Sequence, residues 1–329
     1  MEQNLHIKWY KCIDSTNTQA ARELETAAEG TVWAADFQTA GRGQRGNKWE
    51  SKKAENLTFT ILFRPVFLHP AQQFCISQIC SLGVCRYLRN KGLPAQIKWP
   101  NDIYVGNKKI CGMLIENSIM GDKLSGSISG IGLNLNQTVF SSDAPNPTSL
   151  LLEFSSRQLL PDSPHTQSPG NGTDTPEEGF RFNRKEELST LLGYIFTAYG
   201  ELQDGFYKEL DKEYTQNLYR LNEFHKFIEI SNDADVNMPV EKIKDGKEIT
   251  ARIIGVDPYG CAILEHQDGT KKNIPVQRNQ VCTVVSQIHI NESICFESIL
   301  FQSKCFHLCY SSNGNFNKKS SKSLRNKRS

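Results

Sequence analysis

Alternating and helical apolar patterns divide the chain into a strand-rich first part, a helical middle and a second run of short strands. The first alternation spans residues 6–12, and Asp14-Ser15-Thr16-Asn17 then starts a helix that continues through residues 19–24. Residues 31–37 and 56–63 read as two further strands. Phe74, Ile76, Ile79, Leu82, Val84 and Leu88 recur at a helical period within residues 70–90, and Lys91-Gly92 stops that helix. Short strands at 95–99, 103–105, 109–116 and 125–136 follow, separated by tight turns at 100–102, 106–107 and 120–123. Strands in such close succession predict a largely antiparallel sheet with helices on one face.

Residues 160–179 shift to Pro, Ser, Gly, Thr and Asn, which predicts a disordered surface insertion unable to bury enough apolar area to order itself. The helical pattern resumes over 184–221 with Leu188, Leu191, Leu192, Ile195, Phe196, Tyr199, Leu202, Phe206, Leu210 and Leu218, one amphipathic helix or a pair. Beyond Phe224, strands are predicted at 247–256, 261–265, 271–275 and 281–285, with turns at 257–260 and 267–269. Their spacing predicts a small β-barrel. The expected organisation is a first domain over 1–223, the small domain over 224–286, and a basic, disordered tail over 287–329.

Composition narrows this only slightly. The 329 residues are 38% hydrophobic and 22% charged, with a net charge of +2, an ordinary balance that names no partner. No apolar run reaches the ~20 residues needed to cross a bilayer, and the first ten residues carry no apolar signal segment, so a cytoplasmic location without membrane contact is expected. The ten cysteines are scattered singly. Cys75, Cys80 and Cys85 step by five residues and do not share a helix face, and Cys305-Phe306-His307-Leu308-Cys309 lacks a second ligand pair. Reduced, mostly buried thiols are expected, and no resident metal.

The densest chemistry lies at residues 39–49, TAGRGQRGNKW. Three glycines let backbone N–H groups approach an anion, and Arg42, Arg45 and Lys48 supply positive charge. Gly41-x-Gly43-x-x-Gly46 matches the dinucleotide fingerprint letter for letter. That reading needs a helix starting inside the motif, whereas this loop joins strand to strand. A kinase-type glycine loop also joins strands, but the chain has no HRD or DFG sequence. Downstream, Lys98-Trp99-Pro100-Asn101-Asp102 sets a cation, an aromatic, polar turn residues and a carboxylate at a strand end. Lys109 follows across a hairpin, in a strand that carries Gly112, and Gly130-Ile131-Gly132-Leu133-Asn134 comes later. Singly these residues read as solvated turns, and Ser15 and Thr16 as helix caps.

In this order the segments resemble the biotin protein ligase family: Ser15-Thr16-Asn17, then Gln38-Thr39-Ala40-Gly41-Arg42-Gly43 with Trp49, then the 98–102 segment, Lys109 with Gly112, and 130–134. The resemblance covers about residues 7–152 and 186–285, leaving out the insertion and the tail. It implies an α+β core like that of class II aminoacyl-tRNA synthetases, with a mixed, largely antiparallel sheet, helices, and a small C-terminal β-barrel. It also implies an ATP-dependent, AMP-forming enzyme. Biotin carboxylate attacks the α-phosphate to give biotinyl-adenylate, and a lysine of a biotin carboxyl carrier protein then takes the biotinyl group. ATP with Mg²⁺ is the co-substrate, the metal bridging phosphate oxygens rather than residing in the protein.

The residues suit those demands. Two anions that repel must be joined, so Lys109 is assigned to the carboxylate and α-phosphate, with Arg42 and Lys98 on the phosphates and Asp102 orienting the substrate amine or metal. Ser15, Thr16, Asn17 and Gln38 offer hydrogen bonds to a ureido ring, and Gly41, Gly43 and Gly112 let backbone approach the bicycle. Gln44, Arg45, Trp49, Asn101 and Asn134 fall on the nucleotide side by the same resemblance, and Trp49 and Trp99 are available as pocket walls. The first strand begins within ten residues, leaving no room for the DNA-binding domain of some members, so no operator-type DNA binding is expected. A homodimer is open as the assembly state. The rivals are a lipoate ligase of the same broad fold and a non-catalytic biotin- or nucleotide-binding module. The family usually carries arginine where this chain has Gln44. Gln44→Arg is expected to slow release of the adenylate, followed as its dissociation rate; an unchanged or faster rate contradicts a retaining role for that position.

Overall fold

The computed structural model describes residues 6–43, 48–141, 146–159, 179–229, 247–274 and 284–286. A seven-stranded sheet forms its centre, built from β1 (Ile7–Tyr10), β2 (Val32–Ala35), β3 (Leu57–Phe63), β4 (Ala95–Lys98), β5 (Asp102–Val105), β6 (Lys108–Met120) and β7 (Lys123–Leu133). The spatial order is β1-β2-β3-β7-β6-β5-β4. Every pairing is antiparallel except β1 with β2, which run parallel through a connection that contains helix α1 (Thr16–Arg22). The inner strand β3 is buried at all seven positions, with Thr58 and Thr60 alternating with the apolar Leu57, Phe59 and Ile61.

Helix α2 (Phe74–Asn90) packs on one face of the sheet and is backed by α4 (Arg184–Gln203) and α5 (Tyr207–Gln216). Phe59, Ile61, Ile97, Ile103, Met113, Ile115, Ile131 and Leu133 line that side of the core. Helix α1 lies on the opposite face, over a second cluster of Ala20, Trp33, Leu62 and Ile128. The expectation of helices on one face is therefore corrected. Helix α1 covers only part of the second face, and residues 39–43 and 48–49 lie over the part it leaves.

The pattern over 184–221 resolves into two helices because Gly205, at φ +88°, turns the chain between α4 and α5. Asn183 caps α4 by accepting from the N–H of Lys185 at 3.1 Å, and Glu186 and Glu187 favour the first turn through the helix dipole. Two elements escaped the periodicity reading: α3 (Leu150–Ser156) and strand β8 (Phe224–Glu229). With β9 (Lys247–Val256), β10 (Ala262–His266), β11 (Lys271–Ile274) and β12 (Val284–Ser286), β8 completes a five-stranded antiparallel sheet in the order β11-β10-β9-β8-β12. The predicted insertion, apart from Gly179, and the tail lie outside the described residues.

The two sheets meet at Gly260, in the turn before β10. Its carbonyl accepts from Trp99 Nε1 at 2.9 Å, and a methyl group there would stand 2.5 Å from the Phe74 ring. Trp99 thus joins the two sheets, and with Lys98, Tyr219 and Phe227 it also lines a pocket between them. None of the described helices is long and apolar enough to cross a membrane.

Arg86 ties the helical layer together. Its guanidinium reaches Glu201 at 2.8 and 3.1 Å and Glu213 at 2.5 and 2.9 Å, joining α2 to α4 and α5. Arg86→Met leaves two carboxylates facing each other without their cation. The substitution is expected to lower stability by roughly 2 kcal/mol, between the exposed and buried cases, in urea unfolding. A change within error of zero contradicts the bridging role.

Candidate active site

Three glycines make the uncovered face of the sheet accessible to other groups. Register pairs Gly112 with Gly132 and Leu114 with Gly130, and these rows continue into Thr58 and Thr60 on β3. A methyl group on Gly130 would stand 2.0 Å from Asn17 Oδ1, and one on Gly132 would stand 2.2 Å from Trp49 Cε2. On Gly112 it would meet the same indole at 3.1 Å and Lys109 Cε at 3.3 Å. Any side chain at 130 or 132 would lift α1 or Trp49 off the sheet, so the glycines form a shelf on which both rest. Trp49 Nε1 is buried there and meets no acceptor among the described residues.

One end of the shelf is a neutral hydrogen-bonding corner. Thr16 donates from its backbone N–H and its hydroxyl to Gln38 Oε1 at 2.7 and 3.0 Å. Thr60 Oγ1 lies 2.8 Å from Thr16 Oγ1 and 2.7 Å from Asn17 Oδ1. Asn17 Nδ2 donates to the Leu114 carbonyl at 3.1 Å and to Glu116 Oε2 at 2.9 Å. Ser15 caps α1, accepting from the Thr18 N–H at 3.5 Å, so its capping reading holds in the structure. All three residues of the 15–17 segment are buried, because the helix start is pressed onto β3 and β7.

The glycine loop leaves this corner as a strand-like arm. Thr39 and Ala40 donate to the carbonyls of Ile13 and Asp14 at 2.9 Å, then Gly41 and Gly43 flank Arg42. Gly41 O accepts from the Trp49 N–H at 3.1 Å, and Arg42 bridges Lys48, so the loop has a hairpin-like stem. Gln44 and Arg45 lie outside the described residues.

The other end of the shelf is charged. Lys109 Nζ is 2.6 Å from Asp102 Oδ2, both side chains being mostly buried, and Asp102 is the register partner of Gly112 and of Lys98. The Lys98 ammonium sits 3.1 Å from Tyr104 Oη and 4.8 Å above that ring. Lys98 and Lys109 flank β5, about 10 Å apart across two strand spacings. Lys98, Lys109 and Asp102 make this the charged end of the shelf. Cys111, next to Gly112, is no candidate nucleophile: burial, then the nearby Asp102 charge, push its thiol well above its ordinary range.

The predicted set is therefore assembled only in part. Arg42 is not gathered with Lys98 and Lys109, since its guanidinium forks onto Glu116 at 2.5 and 3.3 Å. Glu116 stands four residues beyond Gly112 on β6, about 13 Å along the strand and away from Lys109. Asn101 and Asn134 are buried, with their amide N–H groups donating to the carbonyls of Met113 and, at 2.9 Å, Thr148. Each of these amides cross-links backbone beside the site. Sequence reasoning missed Thr60, Tyr104 and Glu116. The signal that could have found Glu116 is strand alternation, because positions 112, 114 and 116 share the shelf face.

Comparison with known proteins agrees with this geometry. The model of the biotin/lipoate A/B protein ligase family matches residues 9–134, the stretch that holds every segment of the shelf and both its ends. Over these residues the chain is similar to this family. Its relatives include the bifunctional ligase/repressor BirA of Bacillus subtilis (strain 168), 34% identical over 136 residues, 40% of this chain and 41% of that protein. A biotin--[acetyl-CoA-carboxylase] ligase of Paracoccus denitrificans is 34% identical over 125 residues, 37% of this chain and 51% of that one. The chain thus spans about half or less of the length of these curated relatives. Among solved structures, the biotin protein ligase from Aquifex aeolicus in complex with biotin and ATP superposes with a TM-score of 0.58 at 25% identity, covering 82% of this chain and 95% of that one.

The shelf is open to a direct test. Gly132→Ala must displace Trp49 from the sheet, so the tryptophan emission of the variant is expected to shift to the red. The shift should vanish when Gly132→Ala is combined with Trp49→Phe. A shift that persists in the double variant contradicts the stacking of Trp49 on Gly132.

Proposed function

We propose that the chain is a biotin protein ligase that makes biotinyl-adenylate from biotin and MgATP and passes the biotinyl group to a lysine of a biotin carboxyl carrier protein. The observation that carries this reading is the shelf itself. It is a floor lined by Gly112, Gly130 and Gly132, with a hydrogen-bonding corner at one end and Lys98 and Lys109 at the other. Biotin has matching ends, a neutral ureido ring and a carboxylate joined by an apolar chain. The names of the relatives above point the same way.

In the first step a biotin carboxylate oxygen bonds to the α-phosphorus of ATP, and the bond to the β-phosphate oxygen breaks, releasing pyrophosphate. Lys109, over Gly112, sits between carboxylate and α-phosphate and offsets their repulsion, with Lys98 on the phosphate side. Mg²⁺ enters as part of the nucleotide substrate. In the second step the carrier lysine amine attacks the acyl carbon, the bond to the AMP oxygen breaks, and the amine loses a proton. Asp102 fixes the Lys109 ammonium and orients the incoming amine. Trp49 closes over the shelf and keeps water from the mixed anhydride. Thr16 and Gln38, with Ser15 and Asn17 behind them, receive the ureido ring, and Gly41 and Gly43 supply close backbone.

The same reading divides the chain at 1–223, 224–286 and 287–329, makes the five-stranded sheet part of a small barrel, and puts a carboxylase carrier domain against the charged end. Incubation with ATP, Mg²⁺, either biotin or lipoate, and a carrier domain tests it. Pyrophosphate release and label transfer are expected with biotin, and Lys109→Ala should lower the rate by about 10²–10³. Release with lipoate alone, or with neither acid, overturns the proposal.

A further inference from the structure

We infer that Glu116 is a positioning residue for the glycine loop, acting through Arg42 and Asn17, and that Arg42 serves to place this loop and does not bind phosphate. The inference rests on the ligase reading only for the identity of the ligand. Its structural content concerns the loop alone.

Glu116 links the glycine loop and α1 to its own strand. Its Oε1 takes Arg42 Nη2 at 2.5 Å from the loop, and its Oε2 takes Arg42 Nη1 at 3.3 Å and Asn17 Nδ2 at 2.9 Å from α1. Asn17 Oδ1 in turn meets Thr60 on β3. One side chain on β6 therefore holds the loop, the helix start and, through Asn17, a third strand. Arg42 lies between Gly41 and Gly43, where the backbone has little room to move. A methyl group on Gly41 would stand 2.5 Å from the Trp49 carbonyl and 3.0 Å from Gln38 Nε2. A shift of Arg42 would displace Trp49 and Gln38 together, and these contribute to the floor and to the neutral corner.

Stability does not account for the pair. Arg42 and Glu116 side chains are 43% and 29% exposed, and such pairs contribute little to folding. Location does account for it. The guanidinium is anchored at the end of the shelf away from Lys109, so a phosphate beside Lys109 lies beyond it. A fixed loop start lowers the ordering cost when ligand binds, which appears in ligand affinity more than in global stability.

The test uses the full chain with Glu116→Ala, the near-isosteric Glu116→Gln, Arg42→Ala and the double variant Arg42→Ala/Glu116→Ala. In the ligand-free proteins, hydrogen exchange of residues 39–43 is expected to speed up in all four. In pyrophosphate release, KM for biotin should rise about tenfold in Glu116→Ala and in Arg42→Ala, and no further in the double variant, while KM for ATP stays within twofold of wild type. Glu116→Gln, which keeps an acceptor for Asn17 but loses the charge, should fall between. A rise in KM for ATP in Arg42→Ala that Glu116→Ala does not share overturns the inference, as do additive effects in the double variant. Wild-type protein without pyrophosphate release overturns the ligase reading and leaves the exchange result to decide this one. Unchanged exchange in Glu116→Ala overturns the inference whatever the kinetics show.

Discussion

The absence of side chains at Gly112, Gly130 and Gly132 is the constraint on which the site depends. Neighbouring strands in an antiparallel sheet set their residues side by side, so the Gly112–Gly132 pair, with Gly130 two residues along β7, clears a strip of backbone. Only on such a strip can the Trp49 indole and the Asn17 amide rest directly on the sheet. The strip also defines what lies at its ends. Register alone brings Asp102 and Lys98 to one end and Thr60 to the other, and α1 then brings Thr16 and Asn17 down onto Thr60.

The two ends differ in what they can bind. The corner around Thr16, Gln38 and Thr60 is made of neutral donors and acceptors already paired with one another, with the Arg42–Glu116 pair joined to it through Asn17, so it can recognise a polar, uncharged group by exchanging those bonds with little rearrangement. The end around Lys109 is held by charge. Asp102 keeps the ammonium at the shelf edge, and Lys98 adds a second cation steadied by the Tyr104 ring and hydroxyl. In the proposed ligase this polarity sets the direction of the substrate, acid toward the cations and ring toward the corner, before any chemistry occurs.

Much of this was legible in the residues because it is local. The helix start at Ser15, the strand-to-strand setting of the glycine loop, the hairpin at Gly106 and the buried run of β3 all follow from short-range pattern, and the motif segments 38–43, 98–102 and 130–134 marked the site. What pattern could not supply was contact across long separations. Arg42 reads as a phosphate ligand from its flanking glycines, but its partner Glu116 is 74 residues away. Trp99 reads as a pocket wall, and that its N–H also bonds Gly260, 161 residues away, is not legible in the motif. The placement of α1 opposite α2 was likewise invisible, because a parallel β1–β2 pair requires a crossover and periodicity does not say over which face. Strand β8 was lost because FHKFIE alternates weakly, and its pairing with β9 is what defines it.

The central claim is that one shelf, with a neutral corner and a cationic end, orients a two-ended ligand. A crystal structure of the chain with biotin bound tests it most directly. The account predicts the Trp49 indole lifted from Gly132 with the bicycle in its place against Gly112 and Gly132, the ureido oxygen and nitrogens at Thr16 and Gln38, and the carboxylate at Lys109. Biotin bound with its carboxylate toward Arg42 and Glu116, or bound away from the three glycines, would contradict it.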